Sequence, residues 1–264
     1  MKIAVVSAIT GAQKKLDITY PVIHKECDYF FFTDTPKAYQ YLVDKNIAVI
    51  PLYSNSWDDV YSARRSAKLP KAMTHHLLPE YDIYVWHDAT NCLSASPNTV
   101  LKCLENADCA MFKHPFRDCV YDEASVILQD KIDHPSLVKD TVSYLRANKF
   151  PAHFGLFEMT AFIRRNNEQT NRAFTEWFSL ISRYSSRDQL TFMPCLKEHA
   201  LRVNQLKGNA QRVYGNNDIL PQIQDSLRVS GVVRNSYESS TDSKRFRLKT
   251  FLKKKFTKVA RRSK

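Results

Sequence analysis

The strongest constraint on the fold is a series of short apolar runs that stop at polar residues. The clearest is YDIYVWHDATN at 81–91, where an apolar stretch ends at His87 and Asp88. Runs of the same form occupy 3–9, 27–33 and 47–53. The segments between these runs are long enough for a helix or a loop. This spacing predicts an α/β fold in which a mainly parallel sheet is joined by crossover connections.

Further elements follow from the apolar periodicity. Two more strands are predicted at 109–115 and 154–166. Helices are predicted at 60–78, 122–131, 135–148, 167–184 and 188–201. Pro70 must kink or split the first helix. After 206 the composition becomes polar and rich in turn residues, so we expect a domain at 1–206, loops and a linker at 207–243, and a tail at 244–264.

The positive charge of the chain is concentrated in this tail. The formal net charge is +12, and eleven of the 39 basic residues lie in 244–264, which holds no acid. The remaining 28 basic residues are balanced by 27 acidic ones. Apolar residues from Leu248 to Val259 recur at helical spacing, which is typical of a helix lying on an anionic membrane. Nucleic-acid binding is a weaker alternative, and a disordered, solvating tail is the other.

Several protein classes are disfavoured by motifs that the sequence lacks. The five glycines form neither G-x-G-x-x-G nor G-x-x-x-x-G-K-[ST], so a Rossmann dehydrogenase or a P-loop kinase has little support. The N-terminus reads as a first core strand rather than a signal peptide, and cytoplasmic residence is expected. The six cysteines form no C-x-x-C pair and are expected to be reduced thiols.

Polar residues at the ends of the predicted strands indicate a binding site. Ser7 and Thr10 follow the first strand, Asp34 follows the second, and Asp88 follows the fourth. Ligands of open α/β sheets bind outside the carboxyl ends of the strands. Taken singly, the two aspartates could merely cap a helix or a turn. Their convergence at one sheet edge favours a functional use.

Three blocks of the sequence carry a resemblance to a known family. They are SARRSAKLPKAMTHHLLPEYDIYVWHDAT, FKHPFRDCVYDEA and FEMTAFIRRNNEQTNRAFTEWFSLISRYSSRDQL. In motif order the chain resembles, over roughly 1–205, a family of glycosyltransferase-like domains whose plant members are linked to pectin and mucilage synthesis. Relatives occur in bacterial polysaccharide clusters. The resemblance implies a GT-A-like mixed, mainly parallel sheet flanked by helices, with a nucleotide-sugar-binding half and an acceptor half.

The resemblance also implies a set of nucleotide-binding residues. These are Ser7, Ala8, Thr10, Asp34, Arg64, Arg65, Lys68 and Asp88. Arg64 and Lys68 are four residues apart and share a helix face, which suits a diphosphate whose charge must be compensated as it leaves. The alternative is a solvated basic helix face.

Asp88 takes the place of the Asp-x-Asp motif that holds a divalent metal in GT-A enzymes. Thr90 replaces the second aspartate, and a hard divalent ion prefers carboxylate oxygens. Either His199 or His87 completes a Mn or Mg site with Asp88, or the enzyme relies on arginine and lysine side chains instead.

Asp188 and Glu158 are the candidate catalytic carboxylates, since sugar transfer needs a base or a stabiliser of positive charge near the anomeric carbon. Asp188 could instead be an ordinary helix cap, and Glu158 could pair with Arg164 or Arg165. The resemblance implies that four further residues bind the acceptor or the donor sugar, although Arg117 could instead form a loop ion pair with Asp118 or Asp122. They are His114, Arg117, Asp118 and Gln189.

The expected function is transfer of a hexosyl or uronosyl group from a nucleotide sugar, favoured as UDP-linked. The acceptor would be a glycan or a lipid-linked glycan of polysaccharide biosynthesis, at the inner face of the membrane. The Asp-Gln pair at 188–189 resembles a pair that precedes a helix in many GT-A enzymes, and this resemblance favours retention of configuration. The alternatives are a hydrolase using the same cleft and a non-catalytic module that binds sugar or lipid.

Overall fold

The computed structural model describes residues 1–11, 18, 23–43, 46–52, 60–206 and 227–231. The basic tail at 244–264 lies outside the described residues, as does most of the segment 207–243. The predicted division of the chain at 206 therefore stays a prediction. Among the described residues, no helix is both long and apolar enough to span a membrane.

Nine strands and nine helices make up the described part of the chain. The strands are β1 (Ile3–Ile9), β2 (Cys27–Thr33), β3 (Ala48–Pro51), β4 (Ile83–His87), β5 (Asn91–Ala95), β6 (Cys109–Lys113), β7 (Phe157–Arg165), β8 (Val203–Leu206) and β9 (Leu227–Gly231). The helices are α1 (Pro36–Leu42), α2 (Val60–Ser66), α3 (Lys68–Ala72), α4 (Thr74–Leu77), α5 (Pro97–Cys103), α6 (Val120–Gln129), α7 (Pro135–Ala147), α8 (Glu168–Arg183) and α9 (Asp188–Glu198).

Seven strands form one mixed sheet in the order β3-β2-β1-β4-β7-β6-β8. Strands β3, β2, β1 and β4 pair in parallel, whereas β7 is antiparallel to both of its neighbours, β4 and β6. Because β6 and β4 are each antiparallel to β7, they point the same way, and their carboxyl ends lie at one edge of the sheet. This architecture confirms the predicted fold class, a mainly parallel mixed sheet flanked by helices.

The central strands are apolar throughout because both of their faces are covered. All seven residues of β1 and all five of β4 are buried. Successive side chains of a strand point to opposite faces, so Ile3 and Val5 pack in one core cluster and Ala4 and Val6 in the other. Helices α8 and α9 belong to the second cluster through Phe174 and Phe192, among other residues, which brings the start of α9 to the sheet.

Two predicted segments differ from the structure. The predicted helix at 60–78 consists of three short helices, α2, α3 and α4, and Pro70 lies inside α3. The segment 207–243 was expected to form loops, but it contributes β9, which pairs antiparallel with β5 and places Gly231 opposite Asn91. The five cysteines with described side chains are free and buried, as expected of reduced thiols.

Candidate functional site

A cluster of two lysines and two aspartates lies at the carboxyl edge of the sheet. The ammonium group of Lys71 contacts Asp88 Oδ1 at 3.0 Å and Asp188 Oδ2 at 2.5 Å. Lys68 Nζ lies 2.7 Å from Asp188 Oδ1. The side chain of Lys71 is 1% exposed, whereas that of Asp88 is 40% exposed. The cluster is therefore a buried charge network that reaches solvent through Asp88.

Rigid elements hold each member of this cluster. Asp88 directly follows β4, and its N–H donates to Thr160 O of β7 at 2.8 Å. The indole N–H of Trp86 donates to Asp88 Oδ1 at 3.0 Å, and the Lys71 ammonium lies 5.3 Å from the centre of the Trp86 ring. Lysines 68 and 71 lie on α3, and Asp188 opens α9. Secondary-structure termini thus fix all four charges without a long loop.

The electrostatics of the cluster favour charged forms of Asp188 and Lys71. Burial alone would raise the pKa of Asp188, but the ammonium groups of Lys68 and Lys71 lower it to about 2. Burial opposes the charge of Lys71 in the same way, yet Asp188 and Asp88 raise its pKa overall. Lys68 differs, because its pKa is lowered overall. Burial lowers this pKa most, the charge of Lys71 lowers it further, and the attraction of Asp188 only partly offsets the two.

A second buried aspartate, Asp133, holds the turn that leads into Asp188. Asp133 Oδ2 accepts hydrogen bonds from Ser185 Oγ at 2.7 Å, from Ser186 N at 2.8 Å and from Ser186 Oγ at 3.1 Å. Its Oδ1 accepts from His134 N at 2.8 Å. Burial would raise the pKa of Asp133, and these bonds lower it. Asp133 thereby fixes the start of α9.

The two arginines that are predicted to bind the diphosphate donate hydrogen bonds to backbone carbonyls. Arg64 Nη1 donates to Ile132 O at 2.8 Å, next to Asp133. Arg65 donates to the carbonyls of Ile181 and Tyr184 at the end of α8. Both guanidinium groups therefore tie α2 to the segments that frame Asp188. Of the three predicted diphosphate-binding cations, Lys68 is the one that lies in the cluster.

Lys71 is the central member of the cluster, and sequence reasoning missed it. It lies three residues after Lys68, so the two ammonium groups can reach one side of the short helix. The local pattern that could have identified it is a second lysine at this spacing, in a segment that precedes a buried strand. Its burial depends on α9, which is distant in sequence.

The predicted nucleotide-binding residues of the first strands lie at the same sheet edge. Ser7 and Ala8 are buried in β1, and Ser7 Oγ has no hydrogen-bond partner among the described residues. Thr10 Oγ1 donates to Ala63 O at 2.5 Å. Asp34 accepts from Gly11 N at 2.9 Å and from Thr35 Oγ1 at 3.0 Å. Asp34 thus holds the turn after β1.

Gly11 is required in this turn for two reasons. Its φ of +88° is one that residues with a side chain rarely adopt. A Cβ at this position would lie 2.7 Å from the Cβ of Ala63. The glycine therefore allows the end of β1 to approach α2 closely.

The predicted acceptor-binding residues form two separate groups after β6. The backbone N–H of Arg117 donates to His114 Nδ1 at 3.1 Å, and the Arg117 side chain pairs with Glu123 of α6. Asp118 pairs instead with His153, with 2.8 Å between Oδ1 and Nδ1. Since β6 and β4 end at the same edge, these groups lie on the Asp88 side of the sheet.

Glu158 and Gln189 are both buried, whereas the basic residues proposed as partners of Glu158 make other contacts. Arg165 donates to the carbonyls of Leu104 and Ala107, each at 2.9 Å. The Arg164 guanidinium lies 4.5 Å and 4.3 Å from the ring centres of Tyr84 and Phe174. Burial lowers the pKa of Arg164 to about 10.

Asp88 and His199, two of the residues predicted to hold a divalent metal, lie at different places in the structure. His199 ends α9, eleven residues after Asp188, which corresponds to roughly 16 Å along a helix. Its Nε2 contacts Glu176 Oε2 at 2.6 Å. Asp88 lies instead beside Asp188, at the other end of α9, and the place between these two carboxylates is filled by the Lys71 ammonium. The structure therefore does not bring Asp88 and His199 together.

The fold and the site together define an α/β domain with a partly buried cluster of paired lysines and aspartates at the carboxyl edge of its sheet. Residues 48–211 match the family described as TOD1/MUCI70, glycosyltransferase-like domain. The chain belongs to this family, which confirms the resemblance predicted from the three sequence blocks. The match covers α3, β4 and α9, the elements that carry the whole cluster.

Solved structures with similar folds include mouse xyloside xylosyltransferase 1 in its apo form, at 10% identity and a TM-score of 0.45, covering 86% of this chain and 93% of that one. A CMP:2-keto-3-deoxy-manno-octonic acid synthetase complexed with CTP has 12% identity and a TM-score of 0.39, and the match covers 78% of this chain and 89% of that one. A glycosyltransferase involved in glycosylation of the PBCV-1 major capsid has 8% identity and a TM-score of 0.40, covering 92% and 100%. A search of curated protein sequences finds no match.

Proposed function

We propose that this protein transfers a sugar from a nucleotide-sugar donor to a glycan acceptor, and that the donor is UDP-linked. The observation that carries the proposal is the cluster of Lys68, Lys71, Asp88 and Asp188 at the carboxyl edge of the sheet. Ligands of open α/β sheets bind at this edge, and the chain belongs to a glycosyltransferase-like family.

In this proposal the lysines compensate for the charge of the departing nucleoside diphosphate. Departure of the diphosphate from the anomeric carbon leaves negative charge on the bridging oxygen. Charged groups that are fixed in advance, away from bulk water, stabilise such charge most effectively. Lys71 is held between two carboxylates and needs no reorganisation, and Lys68 lies beside it. The fixed ammonium group of Lys71 thus supplies the positive charge, with Lys68 beside it, and we propose transfer without a divalent metal.

The two aspartates have different roles in this proposal. Both oxygens of Asp188 are engaged by lysines, and with a pKa of about 2 it is a weak base. We assign it to positioning Lys68 and Lys71 rather than to proton removal. Asp88 reaches solvent and is the carboxylate that faces the donor. Glu158 stays a candidate for the reacting centre, and retention of configuration stays a prediction.

Residues near the other strand ends complete the proposed cleft. Ser7 offers a buried hydroxyl at the end of β1, and Asp34 orders the turn beside it. We propose that this part of the edge holds the nucleoside. We assign His114, Arg117 and Asp118, which follow β6, to the acceptor side of the cleft, and Gln189 to the sugar between the two sides.

The site is tested with the full-length protein, a panel of nucleotide sugars and glycan acceptors. Release of nucleotide only in the presence of an acceptor supports transfer. Release without an acceptor supports a hydrolase, and saturable binding without turnover supports a non-catalytic sugar-binding module. Lys71→Met should lower the transfer rate by about 100-fold or more, by analogy with the loss of one fixed electrostatic group. Lys102→Met, which removes an exposed lysine of α5, is the matched control.

We further propose that the basic tail at 244–264 holds the enzyme on the cytoplasmic face of an anionic membrane. The eleven basic residues of this segment support the proposal, since each contributes about 1 kcal/mol near such a surface. Sedimentation with anionic and with neutral vesicles tests it. Equal binding by the full chain and by a chain that lacks 244–264 would refute it.

A further inference from the structure

A thiol, a carboxylate and an imidazole meet at the start of α6, outside the lysine–aspartate cluster. One ligand atom from each of Cys119, Asp122 and His153 lies within 4.8 Å of the other two. Cys119 directly precedes α6, and Asp122 lies in its first turn. His153 comes from the segment between α7 and β7, some thirty residues further along the chain. The cluster therefore joins two segments that are distant in sequence.

We propose that these three side chains form a zinc site. One sulfur, one nitrogen and one carboxylate oxygen are a ligand set that suits zinc, whereas Mg and Mn prefer oxygen alone. Zinc bonds of about 2.0–2.3 Å in a tetrahedral arrangement place two ligand atoms roughly 3.3–3.7 Å apart. Small movements of the exposed Asp122 and His153 side chains close the present separation. The fourth position is left for water.

Asp118 supports this proposal as the residue that orients His153. Its Oδ1 lies 2.8 Å from His153 Nδ1. Histidine ligands commonly donate one ring N–H to a carboxylate and bind the metal through the other nitrogen. The Asp118 contact therefore assigns Nε2 of His153 to the metal. As an exposed ion pair alone, this contact would add little to stability.

The backbone around the cluster is already fixed without a metal. Gly155 N donates to Asp118 O at 2.9 Å, which links the two segments directly. His153 and Gly155 have φ values of +56° and +113°, so the turn that presents the imidazole has a defined shape. Little ordering is then needed when an ion binds.

The burial of Cys119 favours a metal over covalent chemistry. A cysteine, a histidine and an aspartate could also form a nucleophilic triad. Cys119 is only 2% exposed, however, and a nucleophile must reach a substrate carbon. An ion needs only to contact the sulfur, and the two other ligand side chains, Asp122 and His153, are exposed to solvent.

The test uses the full-length, reduced and metal-stripped protein, with zinc or cobalt as the only added ligand. Zinc should raise the Tm, and cobalt should give a thiolate-to-metal charge-transfer absorption at one ion per chain. Both effects should be lost in Cys119→Ser and in His153→Ala, and kept in His76→Ala, which removes an exposed histidine of α4. Asp118→Asn should weaken binding by about 10- to 100-fold, the usual effect of removing a carboxylate that orients a ligand.

Several results would overturn the proposal. Absence of the absorption band in the wild-type protein would do so, as would a band that survives unchanged in Cys119→Ser. An equal loss in His76→Ala would show that binding is not specific to this cluster. Because His153 is exposed, His153→Ala should fold normally even if Cys119→Ser does not. Unchanged zinc affinity in that variant would be decisive against the site.

Discussion

The pH dependence of folding provides a direct test of the Asp188 environment. The pKa of Asp188 is lowered from its ordinary value of 3.8 to about 2. One pKa unit corresponds to about 1.36 kcal/mol, so ionised Asp188 contributes about 2.4 kcal/mol to the free energy of unfolding at neutral pH. No correction for solvent screening is needed, because the Asp188 side chain is only 8% exposed.

The direction of the effect follows from the lowered pKa. The unfolded chain takes up a proton near its own pKa of 3.8, before the folded chain does near 2. The contribution is therefore fully present above about pH 5, falls to about 1.3 kcal/mol at about pH 3, and vanishes below both pKa values. The Asp188→Asn variant lacks this pH-dependent contribution to the free energy of unfolding.

Urea unfolding at several pH values between about pH 7 and about pH 3 measures the difference in the free energy of unfolding between the wild-type protein and the Asp188→Asn variant. The free-energy gap between the two proteins should narrow by roughly 1 kcal/mol over this range. Asp133 and Asp108 also have lowered pKa values, but they are present in both proteins and cancel. Asp140→Asn, an exposed change on α7, serves as the control. A gap that stays constant or widens in acid would refute the assignment of two ammonium partners to Asp188.

Three further outcomes follow from the structure. Stripping divalent metals should leave the transfer rate unchanged, since Lys71 fills the place between the two carboxylates; a rate restored by Mn after chelation would contradict this. Asp133→Asn should cost about 1–3 kcal/mol of unfolding free energy and lower the transfer rate, because the turn before Asp188 loses charged hydrogen bonds; calorimetry and the transfer assay check it, and an unaltered Tm would refute it. Gly11→Ala should cost about 1 kcal/mol or more through its positive φ and the contact with Ala63; equal urea midpoints would disprove it.

The sheet and three members of the cluster, Lys68, Asp88 and Asp188, were predicted from local sequence patterns and from the family resemblance. The run before Asp88 is buried on both faces, and a polar residue directly after such a strand lies at the sheet edge by geometry alone. Lys68 could be placed by helix spacing. These predictions need no knowledge of how distant segments pack.

The partners of the charged residues were not predictable, because they depend on packing between distant segments. The sequence around Arg64 and Arg65 predicts a diphosphate-binding pair. In the structure, Arg64 donates to the carbonyl of Ile132 and Arg65 donates to two carbonyls at the end of α8. The sequence around Lys71 is that of a surface lysine, and the residue is buried only because α9 packs over it. His199 and Asp188 share one helix, but its length places them at opposite ends. For the two arginines and Lys71, the deciding contact joins segments that are tens of residues apart.

The pairing of β9 with β5 limits the distance between the candidate site and the basic tail at 244–264. Gly231 lies opposite Asn91, three residues after Asp88. The basic segment begins at 244, thirteen residues later. At about 3.3–3.6 Å per residue, a fully extended chain segment of this length spans at most roughly 45 Å. If the tail rests on a bilayer as proposed, Gly231 stays within that distance of the lipid and the candidate site lies close to Gly231, so an acceptor with a short lipid-linked glycan could reach the site without leaving the membrane.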